Sequence, residues 1–197
     1  MTYLDEIRRK LIHLGSAAFP IAYWATDQRF VLRVLIPLAV VAIVLETLRH
    51  WRPGFRALID RLLGRVLRQA EAHTLTGATY VTFAALISIV AFPKPVAVTV
   101  LLFLSVSDAL ASLIGLRFGK VRFFGKSLAG SAAFFISASA IALYLLPTTR
   151  LLALAGALIG TVVEALPLKI GEHKLDDNLS IPLITGAAMT ALAAALS

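Results

Sequence analysis

Asp108 is an acidic residue inside an apolar stretch that is long enough to cross a membrane. An ionised carboxylate at that depth costs several kcal/mol unless it meets a cation, water or a metal. Ser105, Ser112 and Gly115 lie three before, four after and seven after it, so one helical face carries polar or small side chains. We expect that face to point into the protein, where Asp108 serves either chemistry or a structural hydrogen bond between helices.

Glu164 shows the same pattern in a later apolar stretch. Gly156, Gly160 and Glu164 follow one another at intervals of four residues and share a helical face. A Gly-x-x-x-Gly pair lets two helices approach closely, so it carries the carboxylate toward a neighbouring helix rather than toward lipid. The next polar residues are Asp176, Asp177 and Asn178. Three interpretations of them stay open: a solvated surface, a helix cap, or further metal ligands.

Charged residues also lead into the first apolar stretch. Glu6 and Lys10 are four residues apart, as are Arg9 and His13, so each pair shares a helical face. Basic residues at this position also set the orientation of a membrane protein. His13 lies within the apolar run, where orientation alone does not explain it, and it is a candidate for moving a proton.

A glycine-rich basic loop separates two later apolar stretches. Its chemistry-bearing positions are Gly115, Gly119, Lys120, Arg122, Gly125, Lys126 and Ser127. The loop is not a Walker A motif, because five residues rather than four separate Gly119 from the triplet Gly125-Lys126-Ser127. The loop also follows an apolar helix, whereas a Walker A motif follows a strand. Glycines that expose backbone amides, a helix start and three cations still suit a polyphosphate. The alternative is a basic loop with turn glycines.

The elements that must position these residues are membrane helices. Apolar residues make up 59% of the 197 residues and charged residues 15%, whereas soluble domains contain about 45 to 50% and about 25%. Seven stretches are long enough, with allowance for tilt, to cross about 30 Å of hydrocarbon. They are residues 11–26, 30–49, 76–92, 96–116, 128–147, 151–168 and 179–196. We therefore predict an all-α, polytopic integral membrane protein with about seven transmembrane helices in a single domain, residues 1–197.

The distribution of charge predicts the orientation of these helices. With the N-terminus in the cytoplasm, fifteen of the 19 Lys and Arg residues fall in cytoplasmic segments, and only Arg29, Arg33, Lys94 and Arg150 lie at outer ends. The net charge of +8 is therefore a topology signal, with membrane lipids and no nucleic acid as partners. Residues 54–71 place apolar and basic residues on opposite helical faces, which predicts an amphipathic helix on the cytoplasmic membrane surface. The sequence has no cysteine, which excludes thiolate catalysis and iron–sulfur sites.

All of these polar residues are predicted to meet at the cytoplasmic face. Carboxylates suit a divalent metal, cations suit phosphate groups, and a helix start supplies backbone amides. Phosphoryl transfer needs these parts and little covalent chemistry, because it depends on positioning and charge neutralisation. Since nucleotide is found in the cytosol and the chain lies in the membrane, the sequence favours an enzyme that phosphorylates a lipid.

Six short motifs run through nearly the whole chain. They are Glu6-x-x-Arg9-Lys10-x-x-His13, Gly77-Ala-Thr79-Tyr80, Ser107-Asp108-x-x-Ala111-x-x-x-Gly115-x-x-x-Gly119, Gly125-Lys126-Ser127-x-x-Gly130-Ser131, Glu164-x-x-Pro167 and Asp177-Asn178-x-x-x-Pro182. In this order they resemble the family of membrane enzymes that contains dolichol kinase, phytol kinase and CTP-dependent diacylglycerol kinase. The resemblance implies transfer of the γ-phosphate of CTP to the hydroxyl of a membrane alcohol, which yields a lipid phosphate and CDP. The preference for cytosine follows from the resemblance alone.

The motifs together predict a role for each site residue. Asp108, with Glu164 or with Asp177 and Asn178, is predicted to hold Mg²⁺. The residues predicted to bind the triphosphate are Arg9, Lys10, Gly115, Gly119, Lys120, Gly125, Lys126 and Ser127. The lipid hydroxyl is expected to attack in line while Asp108 or His13 takes its proton.

Several acceptors and two other functions stay open. An isoprenoid alcohol such as phytol or a polyprenol is preferred because the chain is compact, and diacylglycerol is the alternative. A phosphatidate cytidylyltransferase also uses CTP and a metal, but the long acidic and glycine-rich signature of that family is missing here. A proton-coupled transporter predicts polar residues through the whole membrane depth, whereas the outer halves of these spans are almost purely apolar. We expect the enzyme in the cell membrane with its active site facing the cytoplasm.

Overall fold

The computed structural model describes residues 3–63, 75–171 and 173–196 and shows an α-helical protein. Its α-helices are α1 (Tyr3–Gly15), α2 (Ala18–Ala25), α3 (Gln28–Trp51), α4 (Pro53–Leu63), α5 (Gly77–Ala91), α6 (Lys94–Leu102), α7 (Asp108–Phe118), α8 (Leu128–Leu145), α9 (Arg150–Ala165) and α10 (Asp177–Leu196). A π-helical segment, Phe103–Ser107, joins α6 to α7. Two antiparallel hairpins of two-residue strands complete the described part of the chain: β1 (Arg122–Phe123) with β2 (Lys126–Ser127), and β3 (Lys169–Ile170) with β4 (His173–Lys174).

Length and hydropathy confirm the predicted all-α membrane protein. Within the described ranges, four helices are long and apolar enough to cross a bilayer: Gln28–Trp51, Lys94–Phe118, Leu128–Leu145 and Asp177–Leu196. Helix α5 is apolar but has only 15 residues. The total of about seven spans therefore stays a prediction.

The first predicted span, residues 11–26, is two helices rather than one. Helix α1 ends at Gly15 and α2 begins at Ala18, with a tight turn between them. Pro20 explains the break, because it has no N–H to donate to the carbonyl of Ser16 and its ring would clash with that carbonyl. The Ser16 carbonyl instead accepts a hydrogen bond from the N–H of Phe19 at 3.1 Å.

The predicted amphipathic helix begins where the sequence places it. Helix α4 covers Pro53–Leu63, and Leu58 and Leu62 on its apolar face are exposed. An exposed apolar face on a short basic helix is typical of a helix that lies in a membrane interface. The remainder of the prediction, residues 64–71, lies outside the described residues.

The glycine face of α9 packs as the Gly-x-x-x-Gly pattern predicts. A Cβ added at Gly160 would lie 3.2 Å from the ring of Phe134 and 3.3 Å from that of Phe103. These two rings pack edge to face, with centroids 6.1 Å apart. Glu164 lies one turn further on this face and is 2% exposed. The close packing thus carries its carboxylate into the protein.

Candidate active site

A cavity of about 340 Å³ lies where the ends of α1, α7, α8 and α9 meet the β1–β2 hairpin. Its lining residues are Lys10, Asp108, Ala111, Ser112, Gly115, Leu116, Gly119, Arg122, Gly125, Lys126, Ser127, Gly130 and Glu164. We call this end of the helix bundle the polar end. The structure therefore brings together eight of the positions that the sequence predicts for the site.

Asp108 forms a buried ion pair with Lys10 inside this cavity. The Lys10 ammonium donates to Oδ2 of Asp108 and lies 3.4 Å from the Asp108 carbonyl oxygen. Lys10 is 3% exposed and Asp108 5%. Removing one partner of such a pair is strongly destabilising, because the other charge stays buried without compensation.

Lys126 holds two further carboxylates together. Its ammonium lies 3.1 Å from Oε1 of Glu164 and donates to Oδ2 of Asp177 at 2.8 Å. Burial lowers the pKa of Lys126, but the carboxylates of Asp177, Glu164 and Asp108 outweigh that effect and raise it above its ordinary value. Lys126 is therefore cationic at physiological pH and is shared by two acidic partners.

Arg9 does not line the cavity and instead pairs with Glu6. The Arg9 guanidinium donates to both carboxylate oxygens of Glu6, and Ser112 donates to Glu6 Oε1 at 2.7 Å. Burial raises the pKa of Glu6, but hydrogen bonds from Arg9 and Ser112 and the charges of Arg9 and Lys10 outweigh it and lower the pKa to about 2. Glu6 thus ties α1 to α7 beside the cavity.

We expect Glu6→Gln to lower the thermal stability of the protein in a pH-dependent way. Because the pKa of Glu6 is lowered in the folded protein, the ionised form stabilises the fold above its ordinary pKa of 4.5. This stabilisation is lost as the pH falls from about 4.5 toward 2. Thermal unfolding in detergent should give a lower Tm for Glu6→Gln than for wild type at pH 7, with a clearly smaller gap at pH 3. An equal gap at both pH values would contradict this account of Glu6.

The loop glycines pack α7 tightly against the start of α8. A Cβ on Gly115 would lie 2.8 Å from Ser127 Oγ, and one on Gly130 would lie 2.8 Å from the Ala111 carbonyl oxygen. A Cβ on Gly119 would clash with the carbonyl of Gly115. Only glycine fits at these contacts, so the spacing of the glycines is a packing requirement as well as a feature of the cavity wall.

Several amides of the loop donate within the protein. The N–H of Gly119 donates to the Gly115 carbonyl at 3.0 Å, and that of Gly125 donates to the Ala165 carbonyl at 3.1 Å. Ser127 caps α8, and its Oγ accepts a hydrogen bond from the N–H of Gly130 at 3.1 Å. The predicted start of a helix at Ser127 is confirmed, and its positive dipole end faces the cavity.

Arg122 lines the cavity as well. The sequence places it in the basic loop but not among the residues predicted to bind the triphosphate. The β1–β2 hairpin pairs Arg122 with Ser127 and Phe123 with Lys126, around a turn in which Phe124 has a φ of +48°. This register brings the arginine to the same side as the capping serine, since directly paired residues point to one face. The β-prone residues on either side of Phe124 are a sequence signal for this hairpin. From the sequence alone, the segment is treated as part of the basic loop.

Besides Arg9, four predicted site residues do not line the cavity. Lys120 is exposed on the connection after α7, and Asp177 reaches the site only through Lys126. Asn178 is buried at the start of α10, where its N–H donates to an Asp176 side-chain oxygen at 2.9 Å. His13 lies beside the cavity, with Nε2 3.7 Å from Asp108 Oδ2. Their predicted roles stay predictions.

The acidic residues of the cavity fit Mg²⁺ bound together with phosphate. Among the described residues, no cluster of three or more histidine and acidic side chains could hold a metal by itself. Two carboxylates, Asp108 and Glu164, do line the same cavity. Mg²⁺ is commonly held by one or two carboxylates together with substrate phosphate oxygens and water, and the chemistry of these two carboxylates is compatible with that role.

An apolar groove of about 430 Å³ lies between α2, α6 and α8, of which α8 also contributes to the cavity and α6 continues into α7. It is lined by Ile21, Trp24, Val98, Leu102, Ala140, Ile141, Tyr144 and Leu145. Leu102 precedes Asp108 by six residues, which is about 9 Å along a helix. The groove is therefore within reach of a hydrocarbon chain whose polar end lies at the cavity.

The chain is similar to curated proteins over most of its length. It is 31% identical to CTP-dependent diacylglycerol kinase 1 of Saccharomyces cerevisiae, over 95% of this chain and 73% of the yeast protein. It is 29% identical to CTP-dependent diacylglycerol kinase 1 of Schizosaccharomyces pombe, over 91% of this chain and 90% of that protein. It is also 29% identical to a probable chloroplastic phytol kinase of Triticum aestivum, over 92% of this chain and 65% of that protein. No protein-family model and no solved structure matches.

These similarities agree with the geometry of the polar end. Lysines and buried carboxylates at one end of an apolar helix bundle are groups that suit phosphoryl transfer to a lipid. The resemblance predicted from the six motifs is confirmed. The chain belongs to the family of membrane lipid kinases that includes the CTP-dependent diacylglycerol kinases and the phytol kinases, and it is a phosphotransferase that acts on a lipid alcohol.

Proposed function

We propose that the protein transfers the γ-phosphate of CTP to the hydroxyl of an isoprenoid alcohol in the membrane, giving a lipid phosphate and CDP. The observation that carries the proposal is the cavity in which Lys10 and Lys126 meet Asp108 and Glu164. These are the charges that bind a nucleotide triphosphate and its metal. The names of the relatives support CTP as donor.

The two lysines are placed to exchange partners when the nucleotide binds. In the structure, Lys10 neutralises Asp108 and Lys126 neutralises Glu164 and Asp177. A triphosphate in the cavity offers these ammonium groups stronger acceptors, and Arg122 adds a guanidinium from the hairpin. As the lysines turn to phosphate oxygens, Asp108 and Glu164 become available as metal ligands.

Asp108 and Glu164 are the residues that would hold Mg²⁺, with Asp177 next to them through Lys126. Bound Mg²⁺ would neutralise charge on the phosphate oxygens during transfer. The protein's own contribution is to place two buried carboxylates, the buried Lys10 ammonium group and the partly exposed Lys126 ammonium group around one cavity.

The acceptor hydroxyl attacks the γ-phosphorus in line with the leaving oxygen. A new oxygen–phosphorus bond forms, the bond between the γ-phosphorus and the bridging oxygen breaks, and that oxygen leaves with CDP. The hydroxyl proton passes to Asp108 or to His13, which lie next to each other. Lys10, Lys126 and Arg122 stabilise the charge that develops on the phosphate oxygens.

The groove supports an acceptor with a long apolar tail. We place the tail of the isoprenoid alcohol in it, because its inner end at Leu102 is about 9 Å along the helix from Asp108. Ala140→Trp should fill the groove and lower kcat/KM for phytol by about tenfold, while a short, water-soluble alcohol reacts unchanged. Ala187→Trp, at an exposed alanine of α10 outside the groove, is the matched control. Equal effects of both substitutions on phytol would place the tail elsewhere.

The charge distribution supports a cytoplasmic site in the cell membrane. Lys10 and Lys126 lie at the polar end, and the predicted topology assigns fifteen of the 19 Lys and Arg residues to the same side of the membrane. The positive-inside rule places such an end in the cytoplasm, where CTP is found. This orientation can be tested by introducing single cysteines at two exposed positions, Lys120 and Arg150, which lie at opposite ends of the helices. In intact cells, we expect an impermeant thiol reagent to label Arg150→Cys but not Lys120→Cys.

The proposed function is tested with purified protein, a set of nucleotides and a set of alcohols. We expect CDP to form only when an alcohol is present, with CTP used at least about tenfold better than ATP, and with phytol, geranylgeraniol or a polyprenol preferred to diacylglycerol. Release of pyrophosphate instead of CDP would identify a cytidylyltransferase. A preference for diacylglycerol, which the names of the yeast relatives favour, would overturn the isoprenoid acceptor but leave the lipid kinase intact. Ion flux without turnover of CTP would identify a transporter.

A further inference from the structure

A π-helical turn lies immediately before Asp108 in the helix that carries it. Across Phe103–Ser107 the backbone is wound more widely, and the N–H of Asp108 donates to the Phe103 carbonyl five residues earlier. Such turns insert a residue into an α-helix and rotate everything after it, and they are common at functional sites. The π turn therefore determines the direction in which Asp108 leaves the helix.

The junction between α1 and α2 contacts this π turn through two side chains. His13 Nε2 lies 2.9 Å from the Leu104 carbonyl oxygen, and Ser16 Oγ lies 2.8 Å from Ser105 Oγ. Ser16 Oγ also donates to the His13 carbonyl at 2.6 Å, and Ser105 Oγ donates to the Leu101 carbonyl at 3.0 Å. Each hydroxyl has one proton, so a hydrogen bond between Ser16 and Ser105 requires one of them to release its backbone carbonyl. This shared choice couples the helix break to the π turn.

The partner of His13 determines which of its nitrogens carries the proton. A backbone carbonyl only accepts hydrogen bonds, so Nε2 must donate to the Leu104 oxygen. That nitrogen is the one nearest to Asp108, 3.7 Å from Oδ2. With its proton directed at the carbonyl, Nε2 is a donor, and Nδ1 is the ring nitrogen that remains able to accept a proton.

We infer that His13 is a positioning residue that supports the π turn before Asp108 through its contact with the Leu104 carbonyl. The inference rests on the proposed function. The His13 N–H holds the Leu104 carbonyl, and this contact stabilises the π turn that sets Asp108 against Lys10. Lys10 and His13 lie on the same helix, so α1 both pairs with Asp108 and supports the turn that presents it.

Two substitutions at His13 distinguish a role as hydrogen-bond donor from a role as general base. The amide nitrogen of His13→Gln can donate to the Leu104 carbonyl but does not accept a proton, whereas His13→Leu does neither. We expect His13→Gln to keep kcat within about threefold of wild type and His13→Leu to lower it by more than about tenfold, with KM for CTP little changed in both. Loss of about 10² to 10⁴ in kcat for both variants would identify His13 as the base and overturn the inference.

His50→Gln is the matched control, because His50 also contacts a backbone carbonyl, that of Glu46 at 2.9 Å, on α3 away from the cavity. We expect wild-type kcat for this variant. Ser16→Ala provides an independent check: its effect on kcat should be smaller in the His13→Leu background than alone, because both act on the same π turn. Strictly additive effects would contradict a shared turn.

A spectroscopic measurement does not depend on turnover. In protein labelled with ¹⁵N-histidine, the resonances missing from His13→Gln belong to His13, and we expect them to show a proton on Nε2. A proton on Nδ1 with Nε2 unprotonated would overturn the contact with Leu104. If wild type transfers no phosphate to any alcohol, the proposed function fails, and the position of this proton still decides the contact.

Discussion

Asp108→Asn is expected to lower kcat for phosphate transfer by about 10² to 10⁴, the range associated with removal of a catalytic base. Asp108 is the one carboxylate that both lines the cavity and lies in the helix with the π turn. Asparagine keeps the size of the side chain but removes its charge and its ability to take a proton. The rate of CDP formation by purified protein, with CTP and alcohol saturating, measures the effect.

Loss of activity must be separated from loss of the fold. Asp108→Asn leaves Lys10 buried without its counter-ion, which lowers stability. The double variant Lys10→Met with Asp108→Asn removes both charges, so we expect its Tm to recover toward wild type while its activity stays low. Asp27→Asn is the matched control, since Asp27 caps α3 at an exposed position and asparagine caps a helix equally well. Wild-type turnover by folded Asp108→Asn would remove Asp108 from the chemistry.

Lys126→Met is expected to give the second large effect, a fall in kcat of about 10³, because it removes a cation from the site of phosphoryl transfer. It also leaves Glu164, which is 2% exposed, without the ammonium group 3.1 Å away. We therefore expect a lower Tm as well as lower activity. Lys126→Arg keeps the charge but changes its shape, and it should retain more activity than the methionine variant.

The control for Lys126→Met is Lys169→Met, which makes the same change at an exposed lysine of β3 that does not line the cavity. We expect its kcat to equal that of wild type. Adding Glu164→Gln to Lys126→Met should restore part of the lost stability but none of the activity. If Lys126→Met alone kept wild-type kcat and KM for CTP, Lys126 would have no part in binding or transfer of the phosphate.

The fold class and the place of the site were predictable from local sequence features. An acidic residue in an apolar stretch has a high free energy unless it is paired, so Asp108 and Glu164 had to face other helices. The glycine spacing before Glu164 indicated which face of α9 would be packed. Both predictions depend on properties of one helix at a time, which a sequence displays directly.

The ion pairs inside the site were not predictable in the same way. The sequence predicts that Lys10 and Lys126 bind phosphate, whereas the structure pairs them with Asp108 and with Glu164 and Asp177. Which lysine meets which carboxylate depends on the distances between helices, and no spacing within one helix contains that information. Arg122 was left out of the triphosphate site for a related reason, because its direction depends on the register of a hairpin.

Two backbone irregularities lie near the site in the described part of the chain: the break between α1 and α2, which has a sequence signal, and the π turn before Asp108, which has none. Pro20 is the sequence signal for the break near Ser16, because it has no N–H to donate to the Ser16 carbonyl. Pro37 and Pro182 nevertheless lie within the continuous helices α3 and α10, so the sequence still predicts a single span over 11–26. The π turn at Phe103–Ser107 contains no proline or glycine and has no such signal. It was found only in the structure, and it changes the interpretation of His13 from a possible base to a donor toward Leu104.

The central claim is that the polar end transfers the terminal phosphate of CTP to a lipid. The most direct test uses purified wild-type protein with CTP labelled in the γ-phosphate, Mg²⁺ and phytol in detergent micelles, followed by extraction of the lipid. We predict that the label appears in a lipid monophosphate in an amount equal to the CDP formed, and that Asp108→Asn abolishes it. Label found only in pyrophosphate or inorganic phosphate, with none in the lipid, would contradict the account.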